Sequence, residues 1–335
     1  MRMRMFSRFT RILTFRRKLW TRWGARSKNR GCVCGARGKT GAMDKISYLS
    51  LNQYYRGKYN RRVQRITLSL DFTCPNIDGT KGTGGCAYCH DGSIPAGRSR
   101  EAPVEEQLKR GIEAGKKRYG DGVLFTAYFQ ANSNTYAGTD ELKKLYSAPL
   151  AFKEIIGISI GTRPDCVGDE VLELIGSFKE KYREIWLEFG LQSSNDRTLK
   201  RINRGHSAGD FADAVKRAKA KGIKTAAHII IGFPWETPAD YINTARFAAL
   251  AGVDGVKIHP FHIIRGTRLA AEHEKEGFRL LPLEEYVSAL KGIIGVFPEG
   301  TVIMRFTAEA PPGMLIAPDY CTPEYKNVIK EMVSE

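Results

Sequence analysis

The stretch Cys74-Pro-Asn-Ile-Asp-Gly-Thr-Lys-Gly-Thr-Gly-Gly-Cys86-Ala-Tyr-Cys89 comes just after the alternating run Ile66-Thr-Leu-Ser-Leu-Asp-Phe72. Alternation of apolar and polar residues predicts a strand, which puts three thiols on the loop leaving its carboxyl end. In barrels of alternating strands and helices that end of the sheet is where chemistry is done. Three thiolates can hold three irons of a cubane cluster, and the fourth iron is then open to a substrate or cofactor. Asp78-Gly79, Gly82 and Gly84-Gly85 supply backbone that can wrap closely around a cluster and donate N–H groups to its sulfides. The same residues also admit half of a structural zinc site, completed by His90 or a distant cysteine, or a redox Cys-x-x-Cys pair.

Further strand-like runs occupy residues 122–129, 155–160, 184–190, 224–231 and 255–259, and the first strand is expected over 65–72. Amphipathic stretches at 104–119, 140–148, 168–181, 208–221 and 238–251 repeat apolar residues at three and four and read as helices. Pro103, Asp140 and Thr237 suit helix starts, while Gly120 and Gly222 suit helix ends. Six strands alternating with helices imply parallel pairing through right-handed crossovers. The expected fold is therefore α/β, a curved (β/α)6 partial TIM barrel whose open side leaves room for a large substrate.

The chain has 335 residues, 42% of them hydrophobic, enough for one large domain or one plus an appendage. No stretch approaches the roughly 18 to 20 continuous apolar residues of a membrane span, so a soluble protein without a membrane partner is expected. The net charge of +17 is unevenly placed: residues 1–43 hold 13 Lys or Arg and no acid, which leaves 40 basic against 36 acidic residues, or +4, for 44–335. The basic segment admits three readings: an over-extended gene start with the true start at Met43, an organellar transit peptide, or a disordered arm that touches RNA. Cys32 and Cys34 in it have no nearby partners. Seven cysteines without a secretory segment argue against a disulfide framework and for a reducing, cytoplasmic setting, or an organellar one if residues 1–43 are a transit peptide. Cys166 and Cys321 read as small buried apolar side chains.

The three-cysteine loop, with Tyr88 just before the last cysteine, resembles the radical S-adenosylmethionine (radical SAM) superfamily. The eleven-residue first gap departs from the common Cys-x3-Cys-x2-Cys spacing and is similar to the Elp3-related branch. Six further blocks resemble its YhcC/YtqA subfamily: Tyr128-Phe-Gln-Ala-Asn-Ser-Asn-Thr-Tyr136, Ser159-Ile-Gly-Thr-Arg-Pro-Asp165, Glu188-Phe-Gly-Leu-Gln-Ser193, Ile202-Asn-Arg-Gly-His206, Ile229-Ile-Ile-Gly-Phe-Pro-Trp-Glu236 and Lys257-Ile-His-Pro-Phe-His262. The resemblance implies a radical SAM core over 44–262 with its cluster loop at 74–89, a C-terminal α/β extension over 263–335 closing the barrel, and a disordered basic segment over 1–43. It also implies a [4Fe-4S] cluster on Cys74, Cys86 and Cys89, S-adenosylmethionine as cofactor, and a low-potential electron donor of the flavodoxin or ferredoxin type.

On that resemblance each strand end has an expected task. Gln130 and Asn132 stand where the superfamily carries a Gly-rich amine-binding motif, although the glycines are missing here. Thr162 and Arg163 end the third strand, Arg163 either gripping the methionine carboxylate or pairing with Asp165 at the surface. Glu188 and Gln192 alternate on one face of the fourth strand and bind ribose or the sulfonium's surroundings if that face is the lumen. Ile229 to Gly232 forms the adenine site. His259 and His262 are read as a substrate contact, a structural pair or a second metal site, and His228 and His206 as core or polar packing. Arg305 and Glu309 reach the substrate mouth or pair with each other. The catalytic candidates are Glu188, Gln192, His259, His262 and Arg305. The expected substrate is transfer RNA at its wobble uridine. A small metabolite, as in porphyrinogen oxidases, is the first alternative, and a non-catalytic zinc- or cluster-bearing RNA-binding protein the second.

Overall fold

Val63–Leu68, carrying the first alternating run, forms a strand that pairs in parallel with Leu124–Phe129, residue for residue from Val63 opposite Leu124 to Leu68 opposite Phe129. It ends at Leu68, short of the expected Phe72. The physical reason is a side chain that caps the ladder: Gln107 Oε1 accepts from the Ser69 N–H, and its Nε2 donates to the Ser69 carbonyl, both at 2.9 Å. The computed structural model describes residues 48–90, 102–130 and 132–335. The basic segment 1–43, with Cys32 and Cys34, lies outside the described residues.

The main sheet has eight parallel strands where six were expected. In chain order they are β1 (Leu49–Ser50), β2 (Val63–Leu68), β3 (Leu124–Phe129), β4 (Ile155–Thr162), β5 (Glu184–Gln192), β6 (Lys224–Ile231), β7 (Gly255–Pro260) and, later, β9 (Val302–Arg305). From β2 to β7 each strand lies beside the next, after which come β9 and then β1 at the far edge. A second, antiparallel pair joins β8 (Ile263–Ile264) to β10 (Leu315–Ala317). The helices are α1 (Leu51–Tyr59), α2 (Val104–Tyr119), α3 (Thr139–Ser147), α4 (Asp169–Gly176), α5 (Asp196–Arg201), α6 (Ala208–Ala220), α7 (Pro238–Leu250), α8 (Arg268–Glu276), α9 (Leu283–Ile294) and α10 (Tyr325–Ser334).

The period-two rule decides which side chains meet the helices and which meet the lumen. On β5, Leu187, Phe189 and Leu191 join the core beneath the helices, while Glu188, Gly190 and Gln192 line the inner cavity. Each of the three apolar side chains, fully buried, contributes about 1.5–3 kcal/mol. The helix α7 starts as its sequence implies, with Thr237 and Asp240 closing a capping box before Pro238.

The first helix closes the opposite end of the lumen. Its N-cap Ser50 and Gln53 form a capping box. Leu51 and Tyr54 then pack on Trp186, Ala226 and Val302, which stand at the amino ends of β5, β6 and β9. Buried Glu184 at the start of β5 ties this helix down, accepting from Tyr59 at 2.7 Å, Lys58 at 2.5 Å and Tyr54 at 3.1 Å. The lumen therefore opens at the strands' carboxyl ends. No helix among the described residues is long and apolar enough to cross a membrane.

Candidate active site

The cysteine loop is shaped by its own backbone and by a segment far along the chain. Gly79, Gly84 and Gly85 adopt left-handed backbone conformations that residues with side chains rarely take. The Cys74 carbonyl accepts from the N–H groups of Ile77 and Asp78, at 2.8 and 3.1 Å. The turn between α5 and α6 holds the loop from outside. Asn203 Nδ2 donates to the Gly85 carbonyl at 2.8 Å, Ala87 N–H donates to the Ile202 carbonyl at 2.8 Å, and Asn76 Nδ2 donates to the Asn203 carbonyl. At Gly205 a Cβ would sit 2.8 Å from Asn76 Oδ1, so only glycine allows the two segments this close.

Arg204 of the same turn reaches under the loop. Buried to 7% exposure, it donates to Cys86 Sγ at 3.4 Å and to the Gly190 carbonyl at 2.9 Å. A Cβ on Gly190 would lie 2.4 Å from Arg204 Nη2. Burial works against ionisation of the Cys86 thiol, but the guanidinium of Arg204, with that of Arg163, more than offsets it and holds the thiol below its ordinary pKa. By contrast burial pushes Cys166 up to about 11 and Cys321 up to about 12, so both remain protonated thiols.

Cys74, Cys86 and Cys89 line one wall of a cavity of about 210 Å³ at the carboxyl ends of β2 to β6. The other walls bring in Gln130, Asn132, Thr162, Arg163, Glu188 and Gln192, six of the eight residues expected to bind cofactor. Gln192 and Asn132 both hold left-handed backbone, at φ 70° and 58°, the kind of strain that collects at functional sites. Arg163 is not at the surface. It is 2% exposed, its Nε and Nη2 grip Asp165 at 2.9 Å each, and its Nη1 faces Cys74 Sγ at 4.0 Å. The Asp165 fork thus aims the arginine at the cysteine loop and occupies the two nitrogens that a bidentate grip on a carboxylate would use. Thr162 Oγ1 shares a 2.6 Å hydrogen bond with Thr135. Ile229 faces the helix side and is fully buried in the core, while Leu281 covers Gly232, so neither side of that pair lines the cavity.

Beside the cavity lies a polar cluster that the sequence did not single out as a unit. Fully buried Glu188 has Lys257 Nζ at 2.5 Å and His228 Nε2 at 2.8 Å on Oε2. Arg65 Nη2 stands 2.9 Å from Oε1 as an ion pair off the hydrogen-bonding direction, so Oε1 keeps no hydrogen bond. Lys257 also donates to the Tyr128 hydroxyl at 2.7 Å. Burial would raise the Glu188 pKa, but Arg65 and Lys257 hold it well below the carboxylate range. Burial lowers Lys257 to about 7 against the pull of Glu188, and lowers His228 to about 4. The remaining candidates lie off the cavity. His259 has its ring 6.0 Å from that of His228, and His262 Nδ1 is 2.9 Å from the Pro260 carbonyl. Arg305 does not pair with Glu309: it donates to the Thr307 carbonyl at 2.5 Å, and Glu309 faces Lys326 at 3.8 Å.

The donor set fits an iron–sulfur cluster. Three thiols on one loop meet one cavity, two guanidiniums stand ready to balance thiolate charge, and Arg204 Nε, buried there, has no hydrogen-bond partner among the described residues. Among the same residues no three His, Cys, Asp or Glu side chains converge on a single-ion site, at the His259–His262 pair or elsewhere.

Residues 77–248 match the Radical SAM superfamily, and residues 253–335 match the Radical_SAM C-terminal domain. Protein YhcC of Escherichia coli (strain K12) is 35% identical over 275 residues, which cover 82% of this chain and 87% of that protein. A tRNA-2-methylthio-N(6)-dimethylallyladenosine synthase of Fusobacterium nucleatum is 26% identical over 212 residues, 62% of this chain and 46% of that protein. Among solved structures, the archaeal Methanocaldococcus infernus Elp3 with N-terminus deletion shares the fold at a TM-score of 0.58 and 17% identity, covering 82% of this chain and 64% of that one.

Proposed function

The chain belongs to the radical SAM superfamily, so it is an enzyme whose cofactors are a [4Fe-4S] cluster and S-adenosylmethionine, and from that premise we propose that it modifies transfer RNA at the C5 substituent of a wobble uridine. Family membership overturns the reading as a non-catalytic zinc- or cluster-bearing RNA-binding protein. Cys74, Cys86 and Cys89 are the residues to hold the cluster, and residues 44–262 and 263–335 are read as core and closing extension. When bound, the two cofactors supply reductive cleavage of S-adenosylmethionine and hydrogen abstraction from an unactivated carbon. Arg204 offsets negative charge at the cluster loop. Gln130, Asn132, Thr162 and Gln192 supply polar contacts for S-adenosylmethionine, with Arg163 contributing charge through its Cys74-facing nitrogen. Glu188 holds Lys257, which donates to Tyr128 on the cavity wall, and the first helix excludes water from the closed end of the lumen.

The observation that carries the radical reading is the cavity in which three loop cysteines face polar side chains from four strands. Support for a transfer RNA substrate comes from the Fusobacterium nucleatum relative, which acts on tRNA, and from the Elp3 resemblance of the cysteine loop. A flavodoxin- or ferredoxin-type donor in a reducing compartment completes the proposal. The test is mass spectrometry of bulk tRNA nucleosides from cells lacking the gene, complemented with wild type or Cys86→Ala. A wobble-uridine derivative that disappears in the deletion, stays absent with Cys86→Ala and returns with wild type is the expected result. An identical nucleoside profile in all strains refutes the RNA substrate and redirects the search to a metabolite.

A further inference from the structure

The inner face of β2, β7 and β9 carries more positive charge than its carboxylate can balance. Glu188 is already shared by Arg65 at 2.9 Å and Lys257 at 2.5 Å. Arg305, paired in register with Lys257 across the β7–β9 ladder, makes no ion pair among the described residues. Even with Lys257 neutral, Arg65 already balances Glu188 and Arg305 adds a further charge, which a guanidinium does not give up. Burial lowers the basicity of His259 and His262, and the charge of Arg305 lowers it further. Tyr128 and His228 line the cavity, and the His228 ring is 6.0 Å from that of His259, so this cationic corner adjoins the site. Arg305 is half-buried, and the natural complement of a cation so placed without an ion pair is an incoming anion held by its planar fork.

We propose that Arg305, beside Lys257 on the inner face of the sheet, is a subsite for an anionic group of the substrate, a carboxylate or a phosphate, next to the cysteine-lined cavity. The inference rests on the functional reading given above for the site, but it does not depend on the substrate being RNA. Arg305 supplies the charge and the donors, its Nη1 and Nη2 remaining once Nε has donated to the Thr307 carbonyl.

The test measures anion binding to the cluster-loaded full chain rather than turnover. Thermal unfolding midpoints are recorded against increasing inorganic phosphate, and separately malonate, with sodium chloride holding ionic strength constant. In wild type one of the two should raise the midpoint saturably, phosphate pointing to a nucleotide phosphate and malonate to a substrate carboxylate. Arg305→Gln should weaken the apparent affinity about tenfold or more, the loss expected for a charge-assisted contact. Should Arg305→Gln not fold, Arg305→Lys serves instead: it keeps the charge but loses the fork, so weaker binding is again expected. Midpoints insensitive to both anions, or an affinity unchanged in the Arg305 variant tested, overturn the proposal. Intact anion binding beside an unaltered tRNA nucleoside profile would remove the RNA substrate and leave the subsite standing.

Discussion

Glu188→Gln removes the negative charge that Arg65 and Lys257 share while keeping the side chain's shape. The carboxylate stands 2.9 Å from Arg65 and 2.5 Å from Lys257. With an effective dielectric of about 20 the two attractions sum to roughly 12 kcal/mol, an upper bound before desolvation. The loss expected is about 3–5 kcal/mol, as for other buried pairs broken by removing one partner. Its pH dependence has a definite sign. Lys257 sits at about 7 because burial lowers it and Glu188 pulls it back up, so the variant lysine falls further. A lysine whose folded pKa is below its unfolded value binds fewer protons folded than unfolded, and stability then rises with pH between the two values. In wild type that window opens near 7 and runs upward; in the variant it extends to lower pH. Glu188 itself, held well below the carboxylate range, stays ionised from pH 6 to 8 and adds no slope there. The deficit should therefore be nearly flat from pH 8 to 7 and grow as pH falls from 7 to 6, by up to about 1.4 kcal/mol per unit. Urea unfolding followed by circular dichroism at pH 6, 7 and 8 measures it. A variant within about 0.5 kcal/mol of wild type, or a deficit flat in pH, would refute the account of this cluster.

Arg204→Gln takes away the cation that offsets burial at Cys86, so the pH midpoint for alkylating that thiol in cluster-free protein should rise; an unmoved midpoint would mean that Arg204 does not set its acidity. Gly190→Ala places a Cβ 2.4 Å from Arg204 Nη2 and 2.7 Å from Gln192 Nε2. The displacement should cost about 1–3 kcal/mol in urea unfolding and lower the iron retained per chain, and wild-type values of both would show that the cradle tolerates the methyl group.

Much of the fold was readable because its signals are local. The period of two along 184–192 and the three-four repeat along 104–119 and 208–220 are set by which faces are buried, and neighbouring strands then follow one another across the sheet. The two further strands carry no such signal. β1 is two residues long, and β9 pairs with segments far away in sequence. The first helix was within reach, since Ser50-Leu-Asn-Gln53 is a capping box preceding a helical repeat. The cysteines, Gln130, Thr162, Glu188 and Gln192 share one cavity because loops and residues at strand ends point to one mouth. Arg204 was quoted within a block yet given no task, because its role depends on a turn between α5 and α6 folding under a loop before α2. Arg65, Tyr128, His228 and Lys257 come from four strands, and nothing in any one of them announces that they share Glu188. The Ile229 side chain alternates with Ile230 and His228 and packs among the helices, so only its backbone is left to face the adenine expected there.

The turn that cradles the cysteine loop also fixes an order of events during synthesis. Asn76 finds its partner carbonyl 127 residues further along the chain. As the protein leaves the ribosome, its three thiols emerge long before the residues that give them a shape, and contacts of such sequence separation form late. The cysteine loop therefore reaches its final shape only after the chain has been made past the carboxyl end of β5, to residue 203.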